Sequence, residues 1–171
     1  MKALLVVDMV KDFIEKGGAL YCGDRSRRII PFVKQKIEEF HRSGDLVIFI
    51  KDSHREDDAE FKMFPPHCVK GTRGAEIIDE LPVAPGDILV EKNRYSAFYG
   101  TNLDNILKDR VVTEAHIVGV CTSICVMDTV GDLRNRDYPV VVYKDGVADF
   151  DAEAHRFSLR RMEKIYGAGV S

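Results

Sequence analysis

The sequence predicts an α/β fold, a single three-layer α/β/α domain over residues 1–171 with a mainly parallel, Rossmann-like sheet of five or six strands. Three observations predict it. Short apolar runs recur along the chain, too unbroken for a one-sided sheet and suited to strands covered on both faces. Segments with apolar residues at helical spacing separate these runs. Strand and helix in alternation require a parallel sheet with right-handed crossovers and helices on both faces.

Residues 3–7 are the first such run. Ile29, Val33, Ile37 and Phe40 follow at helical spacing, with Pro31 suited to a first turn and Gly44 to a stop. Residues 46–50 form a second buried strand. Residues 53–85 are different: Pro65, Pro66, Pro82 and Pro85 interrupt a stretch of mixed polarity that sustains no period. A loop that long in a compact domain is usually functional. Residues 87–90 give a third strand, and Thr101 with Asp104 predicts a capping box opening a short helix through Leu107. Residues 116–120 give a fourth strand. Thr122 or Ser123 then caps a helix whose inner face is Ile124, Met127, Val130 and Leu133. Residues 140–143 are a fifth strand, Ala154, Phe157, Met162 and Ile165 share one face of a last helix, and residues 168–171 add a short edge strand.

Composition excludes several classes of function. A chain with 45% hydrophobic and 31% charged residues can bury a core, and its net charge of -3 argues against a nucleic-acid footprint. The apolar start is closed by Asp8, well short of the roughly 7–15 residues a secretory signal needs. Nothing approaches the ~18 apolar residues of a membrane span. The expectation is a soluble, cytoplasmic protein acting on a small molecule, with neither nucleic acid nor membrane as partner. Cys22, Cys68, Cys121 and Cys125 are too few for a disulfide scaffold of this size, and the spacing of the last two is not the redox C-x-x-C.

In parallel sheets of this kind the ligand site lies beyond the carboxyl ends of the strands. Here those ends carry Asp8, then Asp52 and His54, then Lys92, then Cys121. Cys125 is expected in the first turn of the next helix, where unpaired N–H groups and the positive dipole end favour a thiolate. Those N–H groups are also candidate oxyanion donors. Asp8 can accept the thiol proton, and Lys92 can lower the pKa of both groups. On spacing alone, Asp8 and Lys92 could equally be a buried ion pair, and an isolated cysteine is more often a small buried hydrophobe. Asp52 and His54, two apart, project to one side of a strand end, and Glu60 and His67 follow in the loop. Two imidazoles and two carboxylates suit a first-row divalent ion with room for water or substrate. His41, His116 and His155 are assigned structural roles.

Several motifs now stand in order: Val6-Val7-Asp8-Met9 with Asp12-Phe13 and Gly17-Gly18-Ala19-Leu20; Asp52-x-His54; Phe64-Pro65-Pro66-His67-Cys68-Val69 with Gly71-Thr72; Lys92 with Tyr95-Ser96-Ala97-Phe98-x-Gly100-Thr101; and Gly119-Val120-x-Thr122-x-x-Cys125-Val126. Over nearly its full length the sequence resembles the isochorismatase-like cysteine hydrolases and, among them, the nicotinamidases. The resemblance implies a triad of Asp8, Lys92 and Cys125. It implies metal ligands at Asp52, His54, Glu60 and His67, which isochorismatases proper generally lack, with zinc as the ion and iron or manganese as alternatives. Phe13, Phe64 and Tyr95 match aromatic positions that line the pocket, where a pyridine ring could stack. A cis peptide at Val120-Cys121 is implied, aiming the Cys121 N–H into an oxyanion hole shared with Cys125. The implied reaction converts nicotinamide to nicotinate and ammonia through a thioester, with pyrazinamide as a further substrate, and family habit implies a homo-oligomer. Phe64 stands where the family often has tryptophan, and Cys121 where alanine is usual. Two readings compete: a sister hydrolase acting on another small amide or carbamoyl compound, and a non-catalytic metal-dependent binding module.

Overall fold

The computed structural model describes residues 1–171. Six strands, β1 (Lys2–Val7), β2 (Leu46–Asp52), β3 (Ile88–Lys92), β4 (Glu114–Val120), β5 (Val140–Ala148) and β6 (Gly169–Val170), lie in the order β3-β2-β1-β4-β5-β6. Every neighbouring pair is parallel. The chain steps outward from β1 to β3, returns to the other flank of β1 as β4, and steps outward again. That reversal sets the switch point between β1 and β4, where an open parallel sheet leaves a crevice at its carboxyl edge.

Helices α1 (Lys11–Ile14), α2 (Asp24–Arg28), α3 (Ile30–Ser43), α4 (Leu103–Asp109), α5 (Met127–Arg134) and α6 (Ala152–Lys164) complete the layers. Successive side chains of β1 point to opposite faces. Ala3, Leu5 and Val7 pack with Leu103 and Leu107 of α4, Val130 and Leu133 of α5, and Met162 of α6. Leu4 and Val6 pack on the other face with Ile14 of α1 and Val33, Ile37 and Phe40 of α3. With both faces covered, β1 has no solvent side to be polar on, which explains its unbroken apolar run. α3 takes Pro31 into its first turn and stops at Gly44, whose φ of 69° is the left-handed conformation of a helix C-terminus. Gly119 has a different role. A Cβ there would lie 2.0 Å from the Val7 carbonyl oxygen, so only glycine lets β4 approach β1 at this register.

Three local expectations are corrected. Thr101 and Asp104 do not form a capping box. α4 begins at Leu103, which puts Asp104 one residue too early to reach back, and its carboxylate binds Lys108 and Arg136 instead. Neither Thr122 nor Ser123 caps the next helix. The Thr122 hydroxyl pairs with His155 and Ser123 binds the Asp149 carboxylate, while Thr122–Val126 forms a widened π turn before α5. In α6, Phe157 and Ile165 are 53% and 67% exposed. Asp151 caps that helix by accepting the N–H groups of Glu153 and Ala154, and the register so fixed turns Ser158 and Met162 inward. No helix is long and apolar enough to cross a membrane.

Candidate active site

The carboxyl ends of β1, β2 and β3 bring three charged groups into contact. Asp8 follows Val7 directly, in the left-handed region at φ 51°. Its Oδ1 accepts the Asp52 backbone N–H at 2.9 Å, and its Oδ2 lies 2.8 Å from the Lys92 ammonium. Lys92 also donates to Asp52 Oδ1 and, at 3.5 Å, to the Cys125 thiol. Asp8 and the Lys92 side chain are sealed from solvent. The structure therefore brings together Asp8, Lys92 and Cys125, with Asp52 as a fourth member on the far side of the ammonium.

Two carboxylates share one buried cation, and the electrostatics follow from that imbalance. Burial pushes Asp8 up, the Asp52 charge adds to it, and Lys92 offsets only part, leaving Asp8 at about 7. Burial also acts to raise Asp52, but Lys92 and His54 outweigh it and hold that carboxylate below its ordinary range. For Lys92 burial works against the charge, yet the two carboxylates keep the ammonium fixed well above its usual value. Cys125 corrects the expectation of a thiolate favoured by a helix end. It sits within the π turn, and burial pushes its thiol well above the normal range, with Lys92 pulling back only in part. With burial favouring the thiol, reaction at this sulfur would need a base. Asp8 and Cys125 meet across the Lys92 ammonium, at 2.8 Å and 3.5 Å from it.

The loop from residue 53 to 85 supplies the second group of residues. His54 and Lys70 are tied to the strand-like segment around Cys68 by backbone hydrogen bonds of 2.9 Å (His54 N–H to Cys68) and 2.8 Å (Lys70 N–H to His54). Asp12 Oδ2 accepts the Cys68 N–H at 2.7 Å and so anchors the segment carrying His67. Asp52, His54 and His67 are buried and form a compact group whose donor atoms lie within 4.8 Å of one another. These residues fit a metal ion. His67 Nδ1 donates to the Pro65 carbonyl at 2.8 Å, and His54 Nδ1 meets Asp58 Oδ2 at 3.1 Å. Each ring thus engages its outer nitrogen and turns Nε2 inward, the arrangement that orients ligating histidines. His54 Nε2 is buried without a hydrogen-bond partner, 3.5 Å from Asp52 Oδ2. Glu60 stands at the margin: its Oε1 is 3.7 Å from His67 Nε2, but it groups with His54 and Asp58 rather than with the compact three.

Both groups open on one cavity of about 450 Å³. Phe13, Phe64 and Tyr95 line it, as do Asp52, Glu60, His67, Cys121 and Cys125. Phe13 and Phe64 flank the His67 ring at centroid distances of 5.6 Å and 6.4 Å. The Val120–Cys121 peptide is cis. Other lining residues escaped the sequence reading: Leu20, Tyr21 and Cys22 from the loop after α1, Ile124 from the π turn, and Phe150 after β5. Asp58 was also missed. It is half-buried, receives Arg94 Nη1 at 3.0 Å, and its only sequence signal is its place four residues after His54.

This geometry matches known proteins along its whole length. The family model described as the Isochorismatase domain matches residues 2–171. A nicotinamidase from Bacillus subtilis is similar at 38% identity and a TM-score of 0.94, covering 99% of this chain and 98% of that one. An N-carbamoylsarcosine amidase from Thermoplasma acidophilum shares 37% identity at a TM-score of 0.91, over 99% and 95% of the two chains. A pyrazinamidase of Pyrococcus horikoshii, crystallised in complex with zinc, shares 32% identity at a TM-score of 0.94, over 99% and 98%. A sheet whose switch point gathers a thiol, a carboxylate and an ammonium, matched from end to end by these relatives, belongs to an amidohydrolase of the isochorismatase family.

Proposed function

We propose that this amidohydrolase converts nicotinamide to nicotinate and ammonia, with pyrazinamide as a second substrate, using Cys125 as nucleophile. The observation that carries the reading is the position of the buried Lys92 ammonium, 2.8 Å from Asp8 and 3.5 Å from Cys125, which lines the cavity. Asp8 takes the Cys125 proton as the sulfur attacks the amide carbon. Asp8 becomes the neutral acid, and the Lys92 ammonium stabilises the thiolate charge that this step creates. The tetrahedral oxyanion is received by the backbone N–H groups of Cys121 and Cys125; the Cys121 N–H donates to no backbone carbonyl. Asp8 then returns the proton to the departing ammonia, and afterwards draws a proton from the water that releases the acid from its thioester.

Phe13, Phe64 and Tyr95 give the cavity flat apolar walls suited to a pyridine ring. Asp52, His54 and His67 would hold one divalent ion, with Glu60 beside it; zinc fits two imidazoles and a carboxylate, and iron or manganese would also be accepted. When bound, such an ion supplies a Lewis-acid position facing the ring nitrogen, which registers the substrate rather than attacking it.

The test is ammonia release from nicotinamide by metal-loaded protein. Turnover that Cys125→Ala abolishes is expected. An inert nicotinamide alongside rapid cleavage of an N-carbamoyl amino acid would assign the chain to the chemistry named for its Thermoplasma relative.

A further inference from the structure

Two thiols outside the proposed mechanism meet in the wall of the same cavity. Cys22 Sγ, from the loop between α1 and α2, lies 3.2 Å from Cys121 Sγ, at the carboxyl end of β4. Both are almost wholly buried in the protein yet line the cavity, so a small solute in the pocket reaches them. The Cys22 thiol also donates to the Leu20 carbonyl, at 3.6 Å. Cys68, by contrast, is fully buried and does not line the cavity.

We propose that Cys22 and Cys121 are a modification site: a dithiol that a peroxide oxidises reversibly to a disulfide while Cys125 stays free. The sulfurs need to close by only about 1 Å to reach a disulfide bond. Cys22, on the irregular loop between α1 and α2, makes the first attack. Its sulfur takes one peroxide oxygen as the O–O bond breaks, giving a sulfenic acid, and the departing hydroxide collects the thiol proton as water. Cys121 sulfur then displaces hydroxide from the sulfenic sulfur, the S–S bond forms, and the Cys121 proton leaves in a second water. Two thiols are oxidised and one peroxide is reduced to two waters. The product ties the loop that carries Ala19, Leu20 and Tyr21, one wall of the cavity, to the strand end that precedes Cys125.

This inference does not depend on the identity of the substrate. The experiment treats the full-length Cys125→Ser protein with hydrogen peroxide, blocks remaining thiols, and digests with trypsin without reduction. The expected product joins the peptide 17–25 to the peptide 111–134, is two hydrogens lighter than the separate peptides, and disappears on treatment with dithiothreitol. Cys68 should be recovered fully alkylated. Cys22→Ser and Cys121→Ser should each lack the linked species. In oxidised wild-type protein, the linked form should still alkylate at Cys125. Sulfinic acid at Cys22 or Cys121 with no linked peptide would overturn the proposal. So would a link between Cys121 and Cys125 in the wild-type protein in place of the one to Cys22.

Discussion

Asp8 and Asp52 are joined by a hydrogen bond of 2.9 Å from the backbone of one to the carboxylate of the other, so the proposed base and a proposed metal ligand share one electrostatic environment. The negative charge of Asp52 is one of the causes that raise Asp8 to about 7. Below that pH Asp8 holds its own proton and cannot accept one from Cys125. In chelator-treated protein, the rate of Cys125 alkylation by iodoacetamide should therefore rise with pH through a midpoint near 7. A divalent cation on Asp52 offsets the charge that disfavours ionised Asp8, so metal loading should move the midpoint down. A midpoint that metal leaves in place, or that survives Asp8→Asn, counts against Asp8 as the base.

Identity of the nucleophile is tested by two substitutions. Cys125→Ala should abolish hydrolysis. Cys121→Ala should retain measurable turnover, because the oxyanion donor proposed there is the backbone N–H, which the substitution keeps. Steady-state ammonia release from both variants decides between the thiols, and an inactive Cys121→Ala beside an active Cys125→Ala would reverse the assignment.

The metal site can be separated from the thiol. His54→Ala and His67→Ala should each lose bound metal while Cys125 remains open to alkylation. Asp58→Ala should weaken metal binding by about 10–100-fold, the usual cost of removing a group that orients a ligating histidine. Competition titration with a chromogenic chelator measures this directly. Asp58→Asn separates orientation from loop folding, since the amide oxygen can still accept the Glu60 N–H that Asp58 now caps at 2.9 Å. Wild-type affinity in both Asp58 variants would remove that residue from the site.

On the proposed reading, substrate choice rests on the ring nitrogen. Nicotinamide and pyrazinamide place a nitrogen where a metal could receive it, and benzamide does not. A misregistration of about 1 Å can cost around a hundredfold in rate. The ratio of kcat/KM for nicotinamide over benzamide should be of that order in metal-loaded enzyme. Equal values would refute a metal-registered pocket.

The fold and the position of the candidate site residues are largely legible because both depend on buried strands. An apolar run such as residues 3–7 has one explanation, and the charged residue ending it has one edge of the sheet to occupy. Asp8, Asp52 and Lys92 could be placed by that reasoning alone. What stayed hidden depends on contacts between distant loops. Cys22 and Phe150 reach the cavity from irregular segments with no periodicity to align them, and Asp58 gains its role from Arg94 and His54 together. The widened turn at Thr122–Val126 was illegible for the same reason: Asp149, 26 residues away, takes the Ser123 groups that a local cap would have used. Helical spacing alone groups Phe157 with Met162, and only the packing of α6 on the sheet selects Ser158 and Met162 as the buried side.

The fit of Gly119 against the Val7 carbonyl bears on how the enzyme fails as well as how it works. Asp8 is the residue after Val7 and Cys121 lies two residues after Gly119, so the span between Asp8 and the turn carrying Cys125 is set by the innermost pairing of the sheet. Regions of that kind open only with the whole molecule, whereas loops open on their own. Amide protons at Val7 and Val118 should therefore exchange at the rate of global unfolding, while those of the loop carrying His67 exchange sooner. Heat or denaturant would then loosen the loop carrying His67 first and the sheet edge around Asp8 and Cys121 last.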